Sequence, residues 1–206
     1  IMLQDSAHIQ EQEAEWQNRK AERSGYQQYV PVYTVADALE SLKLFEGHGY
    51  NKPIEIFEGV TINFCDAGHL LGSSSIHITV NENGEERTVL FSGDLGNIDR
   101  PLIRNPQNPP YADYVVIEST YGDRIHGERP DYIAQLTKIM QETFSKGGNL
   151  VIPSFAIGRT QELLYLFRII KEQGLIKGHE NFIVYVDSPL AVEATKIYQD
   201  NLMGYY

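Results

Sequence analysis

Two residues in this chain have the type and the setting of metal ligands. His69 lies in GHLLGS (68–73) and Asp94 lies in SGDLG (92–96). Between them the pattern predicts two strands, 74–81 and 87–92, joined at Asn83–Gly84, the strongest short hairpin signal. The two loops flanking a hairpin lie at the same end of it. An imidazole and a carboxylate on glycine-rich loops at one sheet edge are the beginnings of a metal site, since zinc accepts both donors. Each also has a plainer reading: a loop histidine, and an aspartate forming a turn beside glycine.

Other polar groups stand where apolar runs end. Glu118 closes a strand-like run, 114–117, expected to be buried. Ser154, Gly158 and Arg159 sit where a strand gives way to a helix. Helix N-terminal amides attract anions, and an arginine there can fork onto a phosphate. Arg159 paired with Glu118 or Asp187, as a joint between domains, is equally consistent. Ser188 before Pro189 suits a helix cap, with a phosphate contact also open to it. His8 and His126 are candidates to line a cleft. His77 alternates with Ile76 and Ile78 and is expected in solvent, while His48 and His179 lie in glycine-rich turns and look incidental. Cys65 reads as a small buried hydrophobe.

The elements that must position these groups change character along the chain. Residues 7–23 have helix composition and stop before Gly25. Thr34 can cap a second helix, 35–45, whose apolar residues fall at helical spacing. Short alternating runs come next, at 54–57 and 60–64, then the hairpin. Residues 99–113 carry four prolines and form a long surface connection. After a boundary near 122–130 the order is helix (130–145), strand (149–153), helix (159–171), strand (182–186), helix (189–201). That order implies parallel βαβ wiring.

Composition narrows the class. At 206 residues and 42% hydrophobic content, the chain has the size of one large domain or one domain and part of another. It has no apolar run of about eighteen residues, so no membrane-spanning helix is expected. The opening IMLQDSAHIQEQ lacks a basic segment followed by an apolar core, so no secretory signal is expected in it. One cysteine rules out an internal disulfide framework and fits a reducing cytoplasm. The net charge of −11 argues against a broad non-specific nucleic-acid surface, but it leaves room for a local basic pocket and for divalent cations.

The ordered series GHLLGS, SGDLG, ESTYG (118–122), PSFAIGRTQELL (153–164) and DSPLA (187–191), with DSAH at 5–8, resembles one family. It is the metallo-β-lactamase-fold nucleic-acid hydrolases with a β-CASP insert, the group of the pre-mRNA 3′-end cleavage nuclease and its prokaryotic relatives. The resemblance implies an α/β fold class, an α+β sandwich part plus a Rossmann-like part. Residues 1–122 would be the second part of the metallo-β-lactamase αββα segment, and 123–206 the first part of the β-CASP cap.

The resemblance also implies roles. His69 is similar to a zinc ligand of the third motif, and Asp94 to the aspartate bridging two Zn2+ ions. Glu118 is similar to the acidic residue supporting a histidine that protonates the leaving group, which makes Asp94 and Glu118 the catalytic carboxylates. Ser154, Arg159 and Ser188 would meet nucleic acid. Single-stranded RNA is the implied substrate, with no membrane partner and a homodimer left open. The family's H-x-H-x-D-H motif is absent from these residues, whose histidines include no pair two apart. The chain begins with Ile and stops just past a helix-like segment. The expectation is therefore an internal piece of a longer zinc-dependent ribonuclease, inactive alone and with low or no metal occupancy. Two other classes remain: a non-catalytic RNA- or partner-binding paralogue, and a small-molecule hydrolase of the same fold.

Overall fold

Asn83 and Gly84 both adopt positive φ, 52° and 82°, as a two-residue type I′ hairpin turn requires. That turn joins β3 (Ser74–Glu82) to β4 (Glu85–Phe91) and sets their register, with Glu82 opposite Glu85 and His77 opposite Leu90. β1 (Ile54–Phe57) and β2 (Val60–Asp66) add antiparallel strands on one side, and β5 (Tyr114–Val116) pairs parallel to β4 on the other. The sheet order is β1-β2-β3-β4-β5. The computed structural model describes residues 1–21, 28–125, 127 and 130–202. Among them are five helices and this one sheet, a mixed α/β architecture. Among the described residues no helix is long and apolar enough to cross a membrane.

The chain divides into two compact units, Ile1–His48 and Gly49–Tyr206. In the first, α1 (Met2–Ala21) buries Ala7 and Ala14, and α2 (Val35–Leu42) buries Ala38. Such small residues let helix axes approach closely. Thr34 and Asp37 form a reciprocal capping box: Thr34 Oγ1 accepts from the Asp37 N–H at 3.2 Å, and Asp37 accepts from the Thr34 N–H at 2.8 Å. α1 starts earlier than composition suggests, at Met2, and its expected stop at Gly25 lies outside the described residues. α2 ends at Leu42 rather than Phe45 because residues 43–45 bond three positions back, the tightened final turn common at helix ends.

The second unit corrects the expectation for His77. Its side chain is buried, while Ile76, Ile78 and Val80 are only half-buried. The buried sheet face carries Cys65, Ser75, His77 and Leu90. The proline-rich connection before β5 reaches it: the Tyr111 carbonyl meets His77 Nε2 at 2.9 Å, and Gln107 and Asp66 exchange bonds at 2.9 and 3.2 Å. Alternation identifies the two faces correctly, but the cover over one of them comes from residues far along the chain.

Three runs expected as strands depart from expectation here. β5 is a strand, yet Tyr114, Val115 and Val116 are each more than half exposed, since β5 is the sheet edge. Residues 149–153 and 182–186 form no ladder among the described residues, and Val151 and Tyr185 are both 84% exposed. They flank a cleft floored by Leu163, Leu164 and Phe167 instead of pairing. The expected βαβ hydrogen bonding is therefore absent from the described residues, although its helices form as α3 (Tyr132–Ser145), α4 (Arg159–Glu172) and α5 (Pro189–Leu202).

Helix packing centres on Met140 of α3, Ile170 of α4 and Ile176 beyond it, with Leu136, Phe144, Phe167 and Phe182 around them. Asp131 caps α3 through the Ala134 N–H at 2.9 Å. Ile170 is fully buried, so truncation leaves a cavity. Ile170→Ala is expected to lower unfolding free energy by about 2–5 kcal/mol in urea titration. A loss below about 1 kcal/mol would contradict the placement of Ile170 at the packing centre.

Candidate metal site and its cleft

The loops bearing His69 and Asp94 are locked to each other through backbone. The Gly96 N–H donates to the Ala67 carbonyl at 2.8 Å. A Cβ built on Gly96 would overlap the Gly68 carbonyl oxygen, so no side chain fits there. Ser73 closes the histidine loop from inside: its Oγ accepts the N–H groups of His69 and Leu70 at 3.0 and 3.1 Å. Below the aspartate loop, Ser75 Oγ donates to the Ser92 carbonyl at 2.8 Å.

This brings His69 Nε2 within 4.0 Å of Asp94 Oδ2. Two donors on one tetrahedral zinc, at about 2.1 Å each, stand about 3.4 Å apart. The pair therefore fits zinc in donor type and nearly in spacing, and it supplies two ligands. Both side chains are open to solvent, 38% and 76% exposed, so an ion can reach them. Among the described residues no group of three or more His, Cys, Asp or Glu side chains gathers in a ligating arrangement.

Glu118 follows β5 and reaches back to the aspartate loop. Its N–H donates to Ser92 Oγ at 3.0 Å, one carboxylate oxygen accepts the Leu95 N–H, and the other accepts the Thr120 hydroxyl at 2.8 Å. The Leu95 bond first, and the Thr120 bond after it, hold the Glu118 carboxyl below the usual carboxylate range. Glu118 thus anchors the loop at the residue after Asp94, a contact that leaves no signal in residue type or spacing.

A cleft of about 900 Å³ opens beside this site, lined by His69, Glu118, Tyr121, Arg100, Arg159 and Glu162 among others. Arg159 sits at the start of α4, 58% exposed, and pairs with Glu162 at 3.2 Å. Its partner is thus neither Glu118 nor Asp187. Glu162 is nearly buried and also takes Arg100, whose Nε lies at 2.9 Å. Neither Arg100 nor Glu162 emerges from the sequence. The one signal there is a charged residue opening an apolar helix, and nothing in spacing joins two residues 62 apart.

Ser154 and Ser188 lie elsewhere, on the second cleft beside residues 149–153 and 183–187. Ser188 Oγ accepts the Ala191 N–H at 3.2 Å, so it caps α5. Thr160 donates to Ser154 Oγ at 3.2 Å. His8 is exposed on α1 and bonded to Gln12 at 2.9 Å. His126 lies outside the described residues. Cys65 is buried as expected, which pushes its thiol pKa up.

No family model matches the chain. Among curated proteins it is 36% identical over 175 residues to ribonuclease TTHA0252 of Thermus thermophilus, covering 82% of this chain and 37% of that protein. It is 31% identical over 170 residues to the RNase J-like protein of Methanocaldococcus jannaschii, with 81% and 38% covered. It is 30% identical over 171 residues to cleavage and polyadenylation specificity factor 73 of Drosophila melanogaster, with 82% and 24% covered. The chain spans less than two fifths of the length of these relatives.

A lowered folded-state pKa at Glu118 stabilises the loop above the usual glutamate value and is lost as pH falls through the lowered one. The Leu95 amide resonance in an NMR pH titration is therefore expected to shift with a midpoint below about 4.3. A midpoint at or above that value would contradict the bond.

Proposed function

The chain belongs to the β-CASP nuclease family, and from that premise we propose that its whole protein is a zinc-dependent phosphodiesterase that cleaves single-stranded RNA. The observation carrying this reading is the 4.0 Å approach of His69 to Asp94 on loops locked backbone to backbone. The names of the relatives, ribonucleases and an endoribonuclease among them, supply the substrate class.

In this reading His69 would supply an imidazole and Asp94 a carboxylate to zinc. Bound zinc supplies Lewis acidity toward a phosphate oxygen and lowers the pKa of water at the site. The chain's own residues set the geometry. Ser73 fixes the backbone of the histidine loop. Glu118 fixes the residue after Asp94 and keeps lone pairs free to orient a histidine supplied from elsewhere in the protein. Arg159 presents its guanidinium to the cleft, where it can exchange part of its pairing with Glu162 for a backbone phosphate. Ser154 and Ser188, on the neighbouring cleft, would meet the strand farther from the metal. Two donors from this chain fall short of a closed zinc site, which takes four ligands, so the chain alone would be inactive and poorly loaded with metal.

The test is cleavage of end-labelled single-stranded RNA by the full-length protein, with zinc and with chelator. Expected are zinc-dependent cleavage and a loss in Asp94→Ala exceeding the roughly 10–100-fold typical of residues that only support a ligand. Absence of cleavage by the zinc-loaded protein, or an unchanged rate in Asp94→Ala, would overturn the reading.

A further inference from the structure

We propose that Arg100 and Glu162 are positioning residues for the histidine loop, fastening the backbone of His69 to helix α4. Arg100 lies in the connection after Asp94, and Glu162 in the first turn of α4. Arg100 places Nε and Nη2 on Glu162 Oε1, the former at 2.9 Å, and turns Nη1 toward the His69 carbonyl oxygen at 3.2 Å. One guanidinium thus bridges a helix carboxylate and the main chain of the ligand residue. A planar fork with fixed donor directions suits this, and a lysine ammonium cannot reproduce it.

Burial and packing support the bridge independently. Glu162 is 7% exposed, and a carboxylate so far from water is destabilising unless its oxygens are paired. Both are paired: Arg100 holds Oε1 and Arg159 holds Oε2. Beside the bridge, Leu70 of the same loop packs on Gly158, where a Cβ would come within 2.6 Å of Leu70 Cδ2. The loop is therefore docked on the N-terminal turn of α4 by an ion pair and by an apolar contact. An arginine that only stiffened the surface would have no reason to spend a donor on the carbonyl of His69. Held there, the His69 carbonyl restrains the loop backbone from which the imidazole is presented toward Asp94.

This inference rests on the metal-binding reading of His69, and two measurements on the full-length protein separate them. The first is zinc affinity by competition with a chromophoric chelator. Wild type is expected to bind and Asp94→Ala to lose binding, which tests the metal reading alone. Arg100→Lys and Glu162→Gln are each expected to weaken affinity about 10–100-fold. Their effects in the double variant should be less than additive, because the two act as one unit. Arg87→Lys, at an exposed pair with Glu85, should leave affinity unchanged. The second measurement needs no metal: amide hydrogen exchange at Leu70 and Ser73 should quicken at least tenfold in Arg100→Lys, with helix α3 unaffected. Unchanged exchange in the loop overturns the proposal, whatever zinc does. So does normal zinc affinity in Arg100→Lys when wild type binds and Asp94→Ala does not. Loss of affinity together with general loss of protection across α3 would assign the pair to overall stability instead, and would also overturn it.

Discussion

A single close approach organises the site: the backbone at Gly96 lies against the backbone at Gly68, with no space between for even a methyl group. Two loops can touch in this way only if residue 96 is glycine and if the strands beneath them are in register. Glycine at 68 is required on its other side, where a Cβ would meet Pro106 and the Arg104 carbonyl. The register is set by the type I′ turn at Asn83–Gly84, at the opposite end of the hairpin. A slip of one residue would turn one strand's side chains to the opposite face from its partner's and part the loops. The turn and the His69–Asp94 pair are therefore one device read at its two ends.

Around that contact, charge is used as a fastening. Glu118 holds the aspartate loop by a backbone amide, and Arg100 holds the histidine loop by a backbone carbonyl. Neither bond touches the ring of His69 or the carboxylate of Asp94, so both groups remain open to solvent with their lone pairs free. Surface ion pairs contribute little to stability because water competes for both partners. Glu162 differs, being nearly buried and doubly paired. Removing Arg100 would leave this nearly buried carboxylate paired only with the more exposed Arg159.

Local rules make much of this legible. Asn-Gly locates the hairpin, Thr34 locates a helix cap, and glycines around His69 and Asp94 mark the loops that meet. Several inferences that depend on distant cover fail. Alternation assigns His77 to solvent because its neighbours are isoleucines, yet the connection carrying Tyr111 closes over it. The apolar runs at 149–153 and 182–186 have strand composition, but apolarity states only that a segment should be covered, and a ladder also requires an adjacent edge at the right spacing. Arg100 and Glu162 are invisible for a related reason, since pairing between charges far apart in sequence leaves no local period.

The relatives are more than twice as long as the region they share with this chain, and the ribonuclease reading concerns the protein as a whole. Within the chain, the central physical claim is that His69 and Asp94 ligate zinc together. X-ray absorption at the zinc edge of the metal-loaded full-length protein addresses it directly. Ligation by this pair predicts an imidazole contribution that falls in His69→Ala and fewer oxygen donors in Asp94→Ala. A first shell identical to wild type in both variants would contradict it.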